Sequence, residues 1–210
     1  MFTRLDDILF PNRVEVYDFH EINKFFYPIF KCGSTSLDAV AQDRNFKKVI
    51  NDQIRKLDNV DVFIRNPQER YISGVQTYLY NNNHLDINTV KHYLRQGIIL
   101  DRHFAHQFQW IINLAKYLTA DAKINVHNIN MIDQYCKGTN IIKDKNTEID
   151  LSDVVNSPFL EPAFTIDQII LDELTGNSWT VKEMFDYIKD KNPNSYSAII
   201  GKVQHVLSKI

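Results

Sequence analysis

Between Phe25 and Leu37 an apolar run, Phe25-Phe26-Tyr27-Pro28-Ile29-Phe30, breaks into Lys31-Cys32-Gly33-Ser34-Thr35-Ser36 before apolar spacing resumes. This change of pattern predicts a buried strand over Phe25–Phe30 that delivers a loop to the start of a helix. Such a turn constrains the fold strongly. The first backbone N–H groups of the helix lack intrahelical partners and point outward at the positive end of its dipole. Phosphate is a natural ligand for such a site. Gly33 lets the backbone approach a ligand closely, Ser34, Thr35 and Ser36 add hydroxyl donors, and Lys31 supplies a mobile positive charge. The order departs from the Walker A pattern, because the lysine precedes the glycine and no second glycine follows.

The flanking sequence predicts an α/β chain around this loop. Arg13 to Phe19 alternates apolar and polar residues, as a half-buried strand does. From Thr35 a helical spacing begins with Leu37, Val40 and Ala41, and Phe46, Val49, Ile50, Ile54 and Leu57 extend an apolar helical spacing to about residue 57. Val60 to Ile64 predicts another short strand, ending in Arg65. Asn66 is then placed to cap a helix, with Pro67 at its first position and Glu69 three residues after the cap. Ile72, Val75 and Leu79 give that helix an apolar face. Ser73, about two turns from the strand end, shares the surroundings of Arg65 and makes a second anion pocket with it.

Further along, Asn88 to Gln96 predicts a short helix capped by Asn88 and ended by Gly97. The stretch from about Arg102 to Leu118 carries the best amphipathic spacing in the chain, with Phe104, Phe108, Ile111, Ile112, Ala115 and Leu118 on its stripe. Asp101, His103 and Gln107 share a neighbouring face, suited to capping, packing or an active site alike. Lys123 to His127 is a third candidate parallel strand, and residues 137–156 read as a polar flap. Segments 158–176, 179–189 and 196–207 make the C-terminal part mostly helical, with Ser178 or Thr180 as a cap. Strands alternating with helices predict a three-layer α/β sandwich with a central, mainly parallel sheet flanked by helices.

At 210 residues, 44% hydrophobic and 24% charged, the chain is expected to form one domain over 1–210. A net charge of −2 and a pI near 6.4 argue against nucleic acid or anionic membranes as partners, so any anion site must be local. No run approaches the roughly 18 apolar residues of a membrane span. Asp6 and Asp7 stand where a signal peptide would be apolar. The two cysteines, Cys32 and Cys136, make no disulfide framework, and no Asn-x-Ser/Thr acceptor occurs, so a cytoplasmic setting is expected. The absence of CxxC and HExxH patterns predicts no metal centre.

Lys31-Cys32-Gly33-Ser34-Thr35-Ser36 after a strand, followed by Phe63-Ile64-Arg65-Asn66-Pro67-Gln68-Glu69-Arg70-Tyr71-Ile72-Ser73, resembles the paired signature elements of sulfotransferases that use 3′-phosphoadenosine-5′-phosphosulfate (PAPS). The two elements lie within about residues 25–80. The resemblance implies a P-loop-like sulfotransferase architecture and sulfuryl transfer from PAPS to a hydroxyl acceptor, a carbohydrate or small metabolite, with 3′,5′-adenosine bisphosphate (PAP) as product and no metal. By position, Lys31, Gly33, Ser34, Thr35 and Ser36 would hold the 5′ end of the donor, with Cys32 a small filler within the same donor-binding loop. Arg65 and Ser73 would hold the 3′-phosphate, and Arg70 is assigned to structure or general positive potential. Asp101-Arg102-His103-Phe104-Ala105-His106-Gln107 is similar to a D-x-H-F-x-P-Q segment of carbohydrate sulfotransferases, with His106 at the proline position.

Sulfuryl transfer needs in-line positioning, charge stabilisation and removal of the acceptor proton. Lys31 is expected to stabilise the departing bridge oxygen. Related carbohydrate sulfotransferases commonly place a Glu or His between the two motifs, and residues 37–64 contain neither. His103, with an ordinary pKa of roughly 6.5, is therefore the chosen base. His84 and His106 stand behind it, and Asp38, Asp43 and Asp52 are the nearby acids. Two other readings compete: a divergent P-loop phosphotransferase or nucleotide kinase, which should bind ATP with Mg²⁺, and a non-catalytic nucleotide-binding module.

Overall fold

The computed structural model describes residues 14–136 and 149–207, with side chains described as far as residue 201. Its strands are β1 (Glu15–Phe19), β2 (Lys24–Tyr27), β3 (Lys47–Ile50), β4 (Asn59–Ile64), β5 (Lys123–Asn128) and β6 (Ser178–Thr180). Its helices are α1 (Ser34–Asp43), α2 (Pro67–Asn81), α3 (Ile87–Arg95), α4 (Gln107–Ala115), α5 (Ser152–Val155), α6 (Glu161–Ile169), α7 (Val181–Lys191) and α8 (Pro193–Leu207). One sheet takes the order β3-β1-β2-β4-β5-β6. Helices flank it, with α1 against β1 and with α2, α4 and α8 each packed on α6.

The sheet is mixed, where the sequence predicts a mainly parallel one. Only its centre is parallel, β4 pairing with β2 on one side and with β5 on the other. β1 runs antiparallel to both β2 and β3, and β6 runs antiparallel to β5. The reason is local: a single 3-10 turn, His20–Ile22, joins β1 to β2, with Asn23 left-handed at φ 52°. A connection that short can only make a hairpin. β4 is the central strand, and every residue from Val60 to Ile64 is at most 1% exposed. That run includes Asp61, whose Oδ1 accepts hydrogen bonds from Lys24 Nζ of β2 at 2.8 Å and His127 Nε2 of β5 at 2.6 Å.

Several predicted elements are revised. β2 ends at Tyr27 and not at Phe30, because Pro28 has no N–H for the ladder. The helical spacing from Phe46 to Leu57 is in fact strand β3 followed by a 3-10 turn, Asn51–Lys56. Asn45, left-handed at φ 52°, turns the chain back after α1, and exposed Lys47 and Lys48 suit an edge strand. The long helix predicted from Arg102 is divided into a 3-10 turn, Arg102–Phe104, and α4, with Ala105 and His106 extended between them. Asp86, not Asn88, caps α3, its carboxylate accepting from Thr89 N at 2.8 Å. Trp179 lies in β6, and Thr180 caps α7 as expected. Of the predicted polar flap, residues 137–148 lie outside the described residues, while Ser152–Val155 is helical. Among the described residues no helix is long and apolar enough to cross a membrane.

Candidate functional site

The loop between β2 and α1 is built on two left-handed residues. Lys31 has φ 63° and Gly33, the N-cap of α1, has φ 80°. For a lysine this conformation costs about 1–2 kcal/mol and persists only where the surroundings impose it. One such contact is visible: Lys31 Nζ donates to Thr77 Oγ1 at 2.9 Å, and that hydroxyl donates to the Ser73 carbonyl at 3.0 Å. The loop lysine is thereby tied to α2. Gly33 is favoured by its left-handed φ, and a Cβ there would also displace the side-chain tips Ile132 Cδ1 at 2.0 Å and Ile129 Cδ1 at 2.9 Å.

Beneath the loop, side chains fasten it to the end of β4. Cys32, 1% exposed, donates to Gln107 Oε1 at 3.2 Å. The same oxygen accepts from Arg65 N at 2.9 Å, and Gln107 Nε2 donates to Arg65 O at 3.0 Å. Gln107 is itself placed by buried Asp167, whose two oxygens accept from Gln107 N and Phe108 N, each at 2.8 Å. Arg70, also 1% exposed, donates from Nε to the Phe30 carbonyl at 2.9 Å. Burial, against the opposing fields of Arg70 and Arg65, pushes the Cys32 thiol up to about 11. It stays protonated at neutral pH, which fits a filler and not a nucleophile.

A cleft of about 640 Å³ opens beside the loop. Lys31, Ser34 and Thr35 line one wall, Arg102 and His103 another, and Phe30, Tyr27 and Trp110 form an aromatic side. His103 Nδ1 lies 2.5 Å from Asp101 Oδ1, which also accepts from His103 N at 2.7 Å. With Nδ1 committed to a carboxylate, Nε2 is the ring nitrogen left for proton transfer. Burial opposes the Asp101 charge, but hydrogen bonds from His103 and the nearby charges of His103 and Arg102 outweigh it and hold the carboxyl below its ordinary range. The His103 ring packs 4.8 Å from that of Phe30, and the Arg102 guanidinium lies 4.7 Å over the same ring. At the far end, Tyr17 OH donates to Asp38 Oδ1 at 2.6 Å, and Lys48 pairs with Glu15 at 2.8 Å. Burial and the Asp38 bond push the Tyr17 hydroxyl well above its ordinary value.

Lys31, Ser34, Thr35 and His103, residues assigned from the two ends of the motif set, therefore meet in one cleft. Cys32 and Ser36 are buried below the loop, and Gly33 meets the Ile129 and Ile132 side chains. Arg65 and Ser73 do not contribute to the wall of this cleft. The Arg65 guanidinium pairs with Glu69 at 3.2 Å, and the Ser73 carbonyl is linked to the loop through Thr77. His84 is exposed beyond α2, and Asp43 and Asp52 are exposed away from the cleft. His106 is 3% exposed, stacks on Tyr71 and lies 3.7 Å from Asp167, a packing role. Asp38 does line the cleft, but its two oxygens accept from Tyr17 and Gln42.

Thr77, Gly74, Arg102 and Trp110 were not singled out by sequence. Thr77, four residues after Ser73, offered the one local signal, a shared helix face. Gly74 touches the Arg102–Phe104 turn so closely that a Cβ would lie 2.4 Å from the His103 carbonyl oxygen. Among the described residues no group of three or more His, Cys, Asp or Glu is arranged to hold a metal ion. No family model, curated protein or solved structure matches this chain.

Proposed function

We propose that this protein is a cytoplasmic, PAPS-dependent sulfotransferase of P-loop-like architecture acting on a hydroxyl acceptor, a carbohydrate or small metabolite. The observation that carries the reading is the meeting of Lys31 and the Asp101-supported His103 across one cleft, beside the first hydroxyls of α1. Sulfuryl transfer needs these two functions close together: a cation where charge develops on the leaving bridge oxygen, and a base where the acceptor gives up its proton. His103 Nε2 takes the hydroxyl proton as the acceptor oxygen bonds to sulfur. The bond from sulfur to the bridge oxygen breaks, and Lys31 balances the charge left on PAP. Thr77 holds the ammonium of Lys31 at the loop, and Asp101 steadies the imidazolium that forms.

Arg65 and Ser73 are assigned to the 3′-phosphate. Arg65 has an existing partner, but its pairing with Glu69 is an i,i+4 contact whose acidic side chain is 67% exposed. Such pairs are worth only about 0.3–0.5 kcal/mol. A phosphate offering charge-assisted hydrogen bonds displaces it readily.

The test is a calorimetric titration with PAP beside ATP and Mg²⁺, using the wild type and Arg65→Ala. PAP is expected to bind, and loss of Arg65 to weaken it at least tenfold. PAPS turnover is expected to fall in Lys31→Ala and His103→Ala. No PAP binding, or a preference for ATP with Mg²⁺, overturns the assignment.

A further inference from the structure

Arg70 is among the largest fully buried side chains of the protein, at 1% exposure. Its Nε bonds the Phe30 carbonyl, while its Nη2 is buried with no hydrogen-bond partner. No ion pair joins it to a carboxylate among the described residues. Asp167, whose charge opposes that of Arg70 at the Cys32 thiol, directs its two oxygens to the Gln107 and Phe108 N–H groups and makes no ion pair with Arg70. A guanidinium cannot shed its proton to escape such a position, and buried charges in proteins are ordinarily paired. Arg70 thus sits under the loop as a buried cation with Nη2 unbonded and no direct ion pair among the described residues.

The location says what the counter-charge is. The Phe30 carbonyl that Arg70 grips immediately precedes Lys31, and the Arg70 field reaches Cys32 in the middle of the loop. By drawing the Phe30 oxygen to itself, Arg70 also keeps a negative dipole occupied beneath the loop. The left-handed residues Lys31 and Gly33, the Lys31 ammonium and the start of α1 complete an electropositive surround. We propose that Arg70 is the buried positioning cation of this anion site: a phosphate-type anion on the loop completes its charge pairing, so that anion affinity and folding stability are coupled through Arg70. This rests on reading the loop as a phosphate cradle. Arg70 acts from below, through the loop, and touches no reacting atom.

The experiment is thermal unfolding of the wild type, Arg70→Met, Arg70→Gln and Arg70→Lys in increasing inorganic pyrophosphate and, separately, PAP. Chloride is matched for ionic strength. The wild type should gain stability with either anion, as any ligand of the folded state confers. Without anion, the neutral variants should melt at or above the wild-type midpoint, because an unpaired buried charge has been removed. Their pyrophosphate affinity should fall at least tenfold, while Arg70→Lys stays within about threefold of wild type. If the neutral variants are less stable without anion, fail to fold, or bind pyrophosphate within twofold of wild type, Arg70 is a structural clamp and the proposal is overturned. A wild type indifferent to both anions removes the cradle itself, which is a different result from a responsive wild type with equally responsive variants.

Discussion

Gly74→Ala provides a sharp probe of how the cleft is assembled. Gly74 lies inside α2, where alanine is intrinsically favoured by about 1 kcal/mol. Its new Cβ would stand 2.4 Å from the His103 carbonyl oxygen, 2.8 Å from the His103 carbonyl carbon and 2.8 Å from Phe104 Cβ. Non-bonded carbon atoms sit comfortably at about 3.5 Å, so the two surfaces must part by roughly 1 Å. Two of the three opposing atoms are backbone, and no rotamer change relieves them. Overpacking of this kind costs about 1–3 kcal/mol, so the net destabilisation is roughly 0–2 kcal/mol, a shift of a few degrees in the midpoint for a chain of this size.

The functional effect is larger than the stability effect. Lys31 is tied through Thr77 to α2 itself, whereas His103 belongs to the turn that is pushed away. On the proposed reaction, a shift of the His103 turn by up to about 1 Å relative to Lys31 is expected to cost on the order of 10²-fold in rate. The rate of PAP release from PAPS, with water as acceptor where no better one is present, should fall about that much. PAP affinity should change less than about threefold, because the loop, Arg65 and Ser73 do not lie on the displaced turn. A folded Gly74→Ala protein releasing PAP within threefold of the wild-type rate would refute the pairing of Lys31 with His103.

Two further substitutions test the supports of the site. Gln107→Leu keeps the side-chain size but strips the Arg65 backbone of both partners; since these two groups are only partly buried, the lower half of the about 1–3 kcal/mol range for each applies, so urea unfolding should show a loss of roughly 2–4 kcal/mol at unchanged slope, and a loss below about 1 kcal/mol contradicts the bracing role. Asp61→Asn removes a fully buried carboxylate from Lys24 and His127, both of which still reach solvent, and should cost about 1–3 kcal/mol at pH 7. The Asp61 carboxyl is opposed by burial, yet bonds from His127 and Lys24 hold it below its ordinary value. Its stabilisation is therefore full above the unfolded carboxylate pKa of about 3.9 and is lost as pH falls through the lower folded value. Unfolding measured from pH 7 down to pH 3 should show an acid limb that is steeper in wild type than in Asp61→Asn; parallel limbs would contradict it.

The parts legible in the sequence are those whose cause lies within a few residues. The strand, loop and helix around Gly33 announce themselves by an apolar run, a glycine and hydroxyls, and Asn66 caps α2 because its carboxamide reaches Glu69 N at 3.0 Å. β3 is misread because residues 46, 49, 50, 54 and 57 satisfy a helical period while the reversal depends on one left-handed residue, Asn45. The break before α4 is misread for a different reason. Phe104, Phe108 and Ile111 continue a helical stripe across it, and the cap that starts α4 comes from Asp167, 60 residues away.

The site depends on the same kind of distant contact. Lys31 meets Thr77 across 46 residues, and Gln107 meets Arg65 across 42. Both ties join the loop and strand end to helices placed later in the chain, and Gly74 sets how near the His103 turn can come. Motif spacing can therefore nominate Lys31 and His103 separately. Their approach is set by the packing of α2 against the Arg102–Phe104 turn at Gly74, a position that lies in none of the motifs. On the proposed sulfotransferase reading, a chain with both motifs intact but a side chain at position 74 is expected to keep the loop and lose the close approach of the His103 turn.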